Sequence, residues 1–219
     1  MTRSFLAPEP LAAYVEAHSD PLDAVARRLV ERTAALGDVA GMQIGADQAA
    51  LMTALARLTG ARRAVEVGTF TGMSSLAIAR GLPEGGRLVC CDVSEEWTAL
   101  AREAWAEAGV DDRIDLRIGP AAETLAGDLF GDDAPIDLAF VDADKGGYVT
   151  YHELLVPRLR PGGLLAVDNT LWGGAVVEPD EADANRTAIR AYNDHAAADP
   201  RVSTVVLTVG DGLTLNVRL

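Results

Sequence analysis

Cysteine is nearly missing from this chain. Its 219 residues include only Cys90 and Cys91, adjacent in an apolar run that ends at Asp92, where thiols pack as small hydrophobic groups rather than pairing or holding a metal. Nothing calls for an oxidising compartment. No apolar run approaches the ~20 residues of a membrane span, and the amino terminus has neither the basic start nor the apolar stretch of a signal peptide. A cytoplasmic protein without membrane contact is expected. Positive charge is scarce as well: 19 Lys and Arg against 33 Asp and Glu leave a formal charge of −14. That field repels nucleic acid and anionic membranes, and favours a small neutral, cationic or metal-bound ligand. There is no low-complexity tract or internal repeat, no Gly-x-Ser-x-Gly for a hydrolytic nucleophile and no Gly-Lys-Ser/Thr of a P-loop. The dinucleotide fingerprint fails too, because Phe70 stands where its second glycine would be. His18, His152 and His195 fall on predicted helices without metal-ligand spacing and are expected to be solvated.

What is present suits one folded domain, with 49% hydrophobic residues over a length that can bury a substantial core. We expect a single domain over 1–219, a helical cap (1–60) preceding an α/β core (61–219). Apolar residues at helical spacing predict helices over 8–17, 21–36 and 47–58, the second started by Ser19-Asp20-Pro21. These helices either cover the ligand edge of the core or form a subunit contact. From residue 61 short β-rich runs alternate with helical ones. Strands are predicted at 63–67, 87–91, 113–118, 136–141 and 163–167, and helices at 73–80, 95–108, 121–125 and 148–159. Repeated β-α order implies a parallel sheet with right-handed crossovers and helices on both faces. A helix at 183–197 then precedes strands 202–209 and 213–219, which must pair antiparallel across Gly210-Asp211-Gly212. The expected fold is a Rossmann-like, seven-stranded sheet: five parallel strands finished by an antiparallel pair.

Two strand exits carry oxygen donors. One is Val141-Asp142-Ala143-Asp144-Lys145 and the other is Val167-Asp168-Asn169. Parallel neighbours open on the same sheet edge, where α/β folds place ligands. There Asp142, Asp168 and the Asn169 amide oxygen suit a hard divalent cation; each exit taken alone is also an ordinary turn or cap. A third exit, Glu66-Val67-Gly68-Thr69-Phe70-Thr71-Gly72-Met73-Ser74, runs through a glycine turn into a helix. Gly68 lets backbone approach a ligand closely, and Ser74 offers donors near a helix start. Asp92, at the following strand end, is placed to accept from ribose hydroxyls, or else to cap the helix behind it. Together these favour a nucleoside-containing cofactor.

Four segments taken together, Glu66–Gly72, Val141–Lys145, Asp168-Asn169-Thr170-Leu171-Trp172 and Val209-Gly210-Asp211-Gly212, resemble the caffeoyl-CoA and catechol O-methyltransferase family. The likeness runs from the first helices to the carboxyl terminus. It implies S-adenosylmethionine as methyl donor, a divalent cation such as Mg²⁺, Mn²⁺ or Ca²⁺, an aromatic acceptor with adjacent hydroxyls, and a homodimer. By the same resemblance Asp142, Asp168 and Asn169 match metal ligands. Ile44, Glu66, Gly68, Thr69, Ser74, Asp92, Ala121 and Asp144 match cofactor-binding positions. Lys145 matches the general base, working with Asp142. Trp172 either stacks on the acceptor ring or caps the core. The chain departs from the pattern at Gly173, where plant caffeoyl-CoA enzymes carry an asparagine contact, and at Gly146-Gly147, where bulkier polar residues are usual. Both changes are expected to widen the acceptor pocket and count against a CoA thioester. Arg3 aligns with a substrate-contacting lysine of the plant enzymes. A cation-independent methyltransferase and a non-catalytic nucleoside-binding module are the competing readings.

Overall fold

The computed structural model describes residues 7–131, 134–178 and 183–219. Seven strands form one sheet in the order β3-β2-β1-β4-β5-β7-β6. They are β1 Arg63–Val67, β2 Arg87–Asp92, β3 Ile114–Ile118, β4 Ile136–Val141, β5 Leu159–Val167, β6 Val202–Leu207 and β7 Leu213–Arg218. The first five pair in parallel, whereas β7 runs antiparallel to both β5 and β6. Chain order reverses between β1 and β4, so the carboxyl ends of β1, β2, β4 and β5 surround one crevice, the place where such sheets bind ligands.

Alternation along the strands builds a core on each face. Ala64, Leu88, Cys90, Leu138, Phe140, Leu164 and Ala166 face helices α2 (Ala24–Ala34), α3 (Ala46–Leu58), α4 (Met73–Gly81) and α5 (Glu95–Ala108). Their neighbours Val65, Val67, Val89, Cys91, Ala139, Val141, Leu165 and Val167 face α6 (Ala121–Ala126), α7 (Tyr148–Leu155) and α8 (Ala184–Ala198). Cys90 and Cys91 are buried, free thiols, one in each core, as the packing reading expects. Strands covered on both faces read as near-continuous apolar runs, which is why Glu66, fully buried within β1, stands out.

The amino-terminal helices, α1 (Glu9–Ala17) through α3, differ in detail from expectation. Helix α2 starts at Ala24 rather than at 21, because Asp23 is its N-cap: Oδ1 accepts from Ala26 N at 2.9 Å, while Ser19 Oγ turns back to Val15 O at 2.8 Å. Leu29 of α2 and Met52 of α3 are buried in the first core. Part of this layer covers the ligand edge, since Gly41 and Met42 of the 3-10 turn Gly37–Met42 and Gln48 at the start of α3 line the crevice. At the other end, Pro157 closes α7 early in a 3-10 turn, and β5 begins at Leu159.

One expectation fails. His152 is buried, not solvated, with Nε2 2.8 Å from Asp199 Oδ2. His195 pairs with Glu153, and the Arg201 guanidinium bridges Glu153 and Asp199. Burial pushes the His152 pKa down, and Arg201 holds the Asp199 carboxyl far below its usual range. Spacing in sequence gave no sign of this, because the partners come from α7, α8 and the start of β6. His18 is exposed and stacks on Tyr14.

Candidate active site

A cavity of about 730 Å³ opens at the carboxyl edge of the sheet. Its wall includes Ile44, Gly68, Thr69, Ser74, Asp92, Asp142, Asp144, Lys145, Asp168, Asn169 and Trp172, so most of the residues singled out in the sequence converge there. Glu66 lies buried behind the wall and Ala121, at the start of α6, stands outside it. Arg3 falls outside the described residues.

The first turn is shaped by contact between two strand exits. Gly68 has φ +89°, and a Cβ there would lie 2.0 Å from the carbonyl oxygen of Asp142. The glycine is required because β4 exits against it, which joins the first turn to the acidic exit. Asp92 orders the same turn: Oδ2 accepts from the backbone N–H of Thr69 and Phe70 at 2.9 and 2.8 Å, and Oδ1 from Ser94 N at 2.8 Å. Below, both carboxylate oxygens of Glu66 and the Thr69 hydroxyl are buried without a formed hydrogen bond to another described residue. Burial raises the Glu66 pKa to about 7, although the nearby Ser74 and Thr69 hydroxyls pull it down. Orphaned acceptors behind a glycine turn are what a polar ligand would satisfy.

Across the crevice the exits of β4 and β5 meet. Lys145, the single lysine of the chain, places Nζ 3.1 Å from Asp142 Oδ1, 2.5 Å from Asn169 Oδ1 and 2.7 Å from Tyr148 Oη. An ammonium thus stands among the oxygens assigned to a cation. Asn169 adopts φ +58°, a left-handed conformation that asparagine tolerates, and its N–H reaches Asp168 Oδ1 at 2.8 Å. Asp168 is only 3% exposed; burial and then the charge of Asp142 raise its proton affinity. Two carboxylates and an amide oxygen, partly buried and already drawing in a positive charge, form a donor set that fits a hard divalent ion.

Several residues here escaped the sequence reading. Gln48 on α3 donates Nε2 to Asp168 Oδ2 at 2.8 Å. The Tyr148 hydroxyl donates to Asp168 O at 2.9 Å while accepting from Lys145, and Tyr151 donates to Asp144 Oδ1 at 2.5 Å. Asp211, on the turn between β6 and β7, accepts from Gly173 N, and its carboxyl pKa is raised by burial. Trp172 lines the cavity with Nε1 bonded to Asp183 Oδ2 at 2.6 Å, which makes it a rim residue rather than a core cap.

The widened pocket is only partly present. Gly173 lines the cavity with open space at its Cβ position, whereas Gly147 is filled in by the Tyr151 ring, 2.5 Å from where a Cβ would be. Gly146 faces open space but does not line the cavity.

Residues 16–219 match the family described as O-methyltransferase. A probable caffeoyl-CoA O-methyltransferase 2 of Dictyostelium discoideum is 40% identical over 205 residues, covering 92% of this chain and 88% of that protein. The catechol O-methyltransferase domain-containing protein 1 of Mus musculus is 44% identical over 170 residues, 77% of this chain and 65% of its own length. Among solved structures, an O-methyltransferase from Streptomyces achromogenes involved in tomaymycin synthesis, in complex with SAM, superposes with a TM-score of 0.85 at 33% identity, covering 95% of this chain and 96% of that one.

Proposed function

The chain belongs to the O-methyltransferase family, and from that premise we propose that it moves a methyl group from S-adenosylmethionine to one hydroxyl of a vicinal dihydroxy aromatic acceptor held on a divalent cation. The observation that carries the reading is that Asp142 and Asn169 converge on the one lysine, with the Asp168 carboxylate beside them on the same cavity wall. In this reading Gly68, Thr69, Ser74, Asp92 and Asp144 contact the cofactor on one side of the cavity, with Ile44 and Trp172 at its mouth and Glu66 supplying acceptors from below.

The cation supplies Lewis-acid stabilisation of an acceptor phenolate, and S-adenosylmethionine supplies the electrophilic methyl. The chain's own residues do the rest. Asp142, Asp168 and Asn169 would hold the ion, and Lys145 would then give up Asp142 and Asn169 as partners. Its third partner stays: Tyr148 Oη, fixed by donation to Asp168 O, keeps Nζ at the site. Lys145 acts as base only as the neutral amine: once its ammonium has released a proton to solvent, Nζ, still held by Tyr148 Oη, takes the acceptor hydroxyl proton, a step worth roughly 10²–10⁴ in rate. Trp172 and the turn at Asp211 wall the acceptor side, and holding both reactants in one crevice supplies much of the remaining acceleration.

The same Lys145 contacts support a cation-independent reading, in which the ammonium alone neutralises Asp142 and donates to the Asn169 amide oxygen. That reading leaves Asp168, buried and untouched by Lys145, without a purpose. The two differ on acceptors. Incubation with S-adenosylmethionine, Mg²⁺ and either a catechol or the matching monohydroxy phenol, read by mass spectrometry, should give a monomethyl ether from the catechol only. Equal methylation of both would reject two-point binding of the acceptor.

A further inference from the structure

Asp142 and Asn169 are held by Lys145, but the third oxygen donor is held from elsewhere. Asp168 Oδ1 takes the N–H of its neighbour Asn169 at 2.8 Å, and Oδ2 takes Nε2 of Gln48 at 2.8 Å. Gln48 lies 120 positions away, in the first turn of α3, and is 3% exposed. A carboxylate can only accept, so the amide must present its nitrogen to Asp168 and turn Oε1 the other way. Oε1 then lies beside Gly210, where a Cβ would come within 2.7 Å of it. Gly210 and Gln48 both line the cavity. The β6–β7 turn therefore closes over this amide, and glycine is what leaves room for it.

We propose that Gln48 is a positioning residue for the cation site: Nε2 fixes the rotation of the Asp168 carboxylate, while Oε1 is turned away toward Gly210. A carboxylate turns readily about its last torsion, and in a buried pocket a rotated one offers the ion the wrong lone pair. Groups that orient metal ligands alter metal affinity by about 10–100-fold. Through Gln48 the amino-terminal helical layer is thereby tied to the cation donors themselves. This inference rests on the cation reading above.

The test is cation affinity without turnover. Mn²⁺ binding is measured by calorimetry on wild type, Gln48→Met and Asp168→Ala, with S-adenosylhomocysteine binding measured on the same preparations. Methionine keeps the length and apolar stem but has no donor. The proposal predicts Mn²⁺ binding in wild type, abolished in Asp168→Ala and weakened at least about tenfold in Gln48→Met, with S-adenosylhomocysteine affinity within about twofold. The apparent KM for Mg²⁺ should rise in Gln48→Met while kcat at saturating Mg²⁺ stays near wild type. Undiminished Mn²⁺ affinity in Gln48→Met would overturn the proposal, as would equal loss of both ligands, which would mark a packing role. A wild type that binds no Mn²⁺ would remove the cation reading first, and the inference with it.

Discussion

Glu66 is the residue whose chemistry is least like its surroundings, a carboxyl at the centre of a parallel sheet with no formed partner. Its pKa rises from 4.5 to about 7, chiefly by burial. The folded state therefore holds its proton more tightly than the unfolded one. Its contribution to stability is complete below about pH 4.5 and is lost as pH rises through about 7, a swing of order 3 kcal/mol. Glu66→Gln removes the ionisation and should raise the melting temperature at pH 8 but not at pH 4.5. The same change should weaken S-adenosylhomocysteine binding, since it halves the acceptors offered to the cofactor. A melting curve with the same pH dependence as wild type would show that Glu66 does not carry this cost.

At the scale of elements, the site is a set of strand exits locked to one another. Gly68→Ala puts a methyl where Asp142 O already lies and demands φ near +89° from a residue that resists it. It should cost at least about 1–3 kcal/mol and weaken cofactor and cation binding together. Gly146→Ala, with open space at its Cβ, should leave the melting temperature nearly unchanged. These exits were legible in the sequence because each is local: an apolar run, then an acid, an amide or a glycine. The strands could be read from the same runs, and their parallel sense from β-α order. What was not legible comes from distant elements. Gln48 reaches Asp168 from α3, the Tyr148 hydroxyl reaches Asp168 O from the first turn of α7, and Asp199, at the end of α8, joins His152 of α7 to Arg201 ahead of β6. Nothing in the spacing of a glutamine or tyrosine on a helix marks such a role. The start of α2 was misplaced because Ser19-Asp20-Pro21 and Asp23 are equally good start signals, and only the hydrogen bond to Ala26 N chooses between them.

The whole molecule carries −14, and among the described residues Lys145 is the one basic side chain lining the cavity, against Asp92, Asp142, Asp144, Asp168 and Asp211. Asp183 at the Trp172 rim adds to that field. Phosphates of a CoA thioester would meet repulsion there, whereas a cationic catechol would be drawn in. At low ionic strength kcat/KM should fall from a cationic to a neutral to an anionic catechol. The spread should narrow as salt shortens the screening length to about 10 Å at 0.1 M. A CoA thioester as the best acceptor at low salt would contradict this.

The central claim is that the Asp142, Asp168 and Asn169 oxygens hold a divalent ion on which the acceptor is activated. The most direct measurement is methyl transfer to a catechol before and after chelation, with metal-stripped protein and S-adenosylmethionine at saturation. The account predicts that the chelator abolishes product and that Mg²⁺ restores it, in wild type but not in Asp168→Ala. Turnover that persists unchanged through chelation would contradict it.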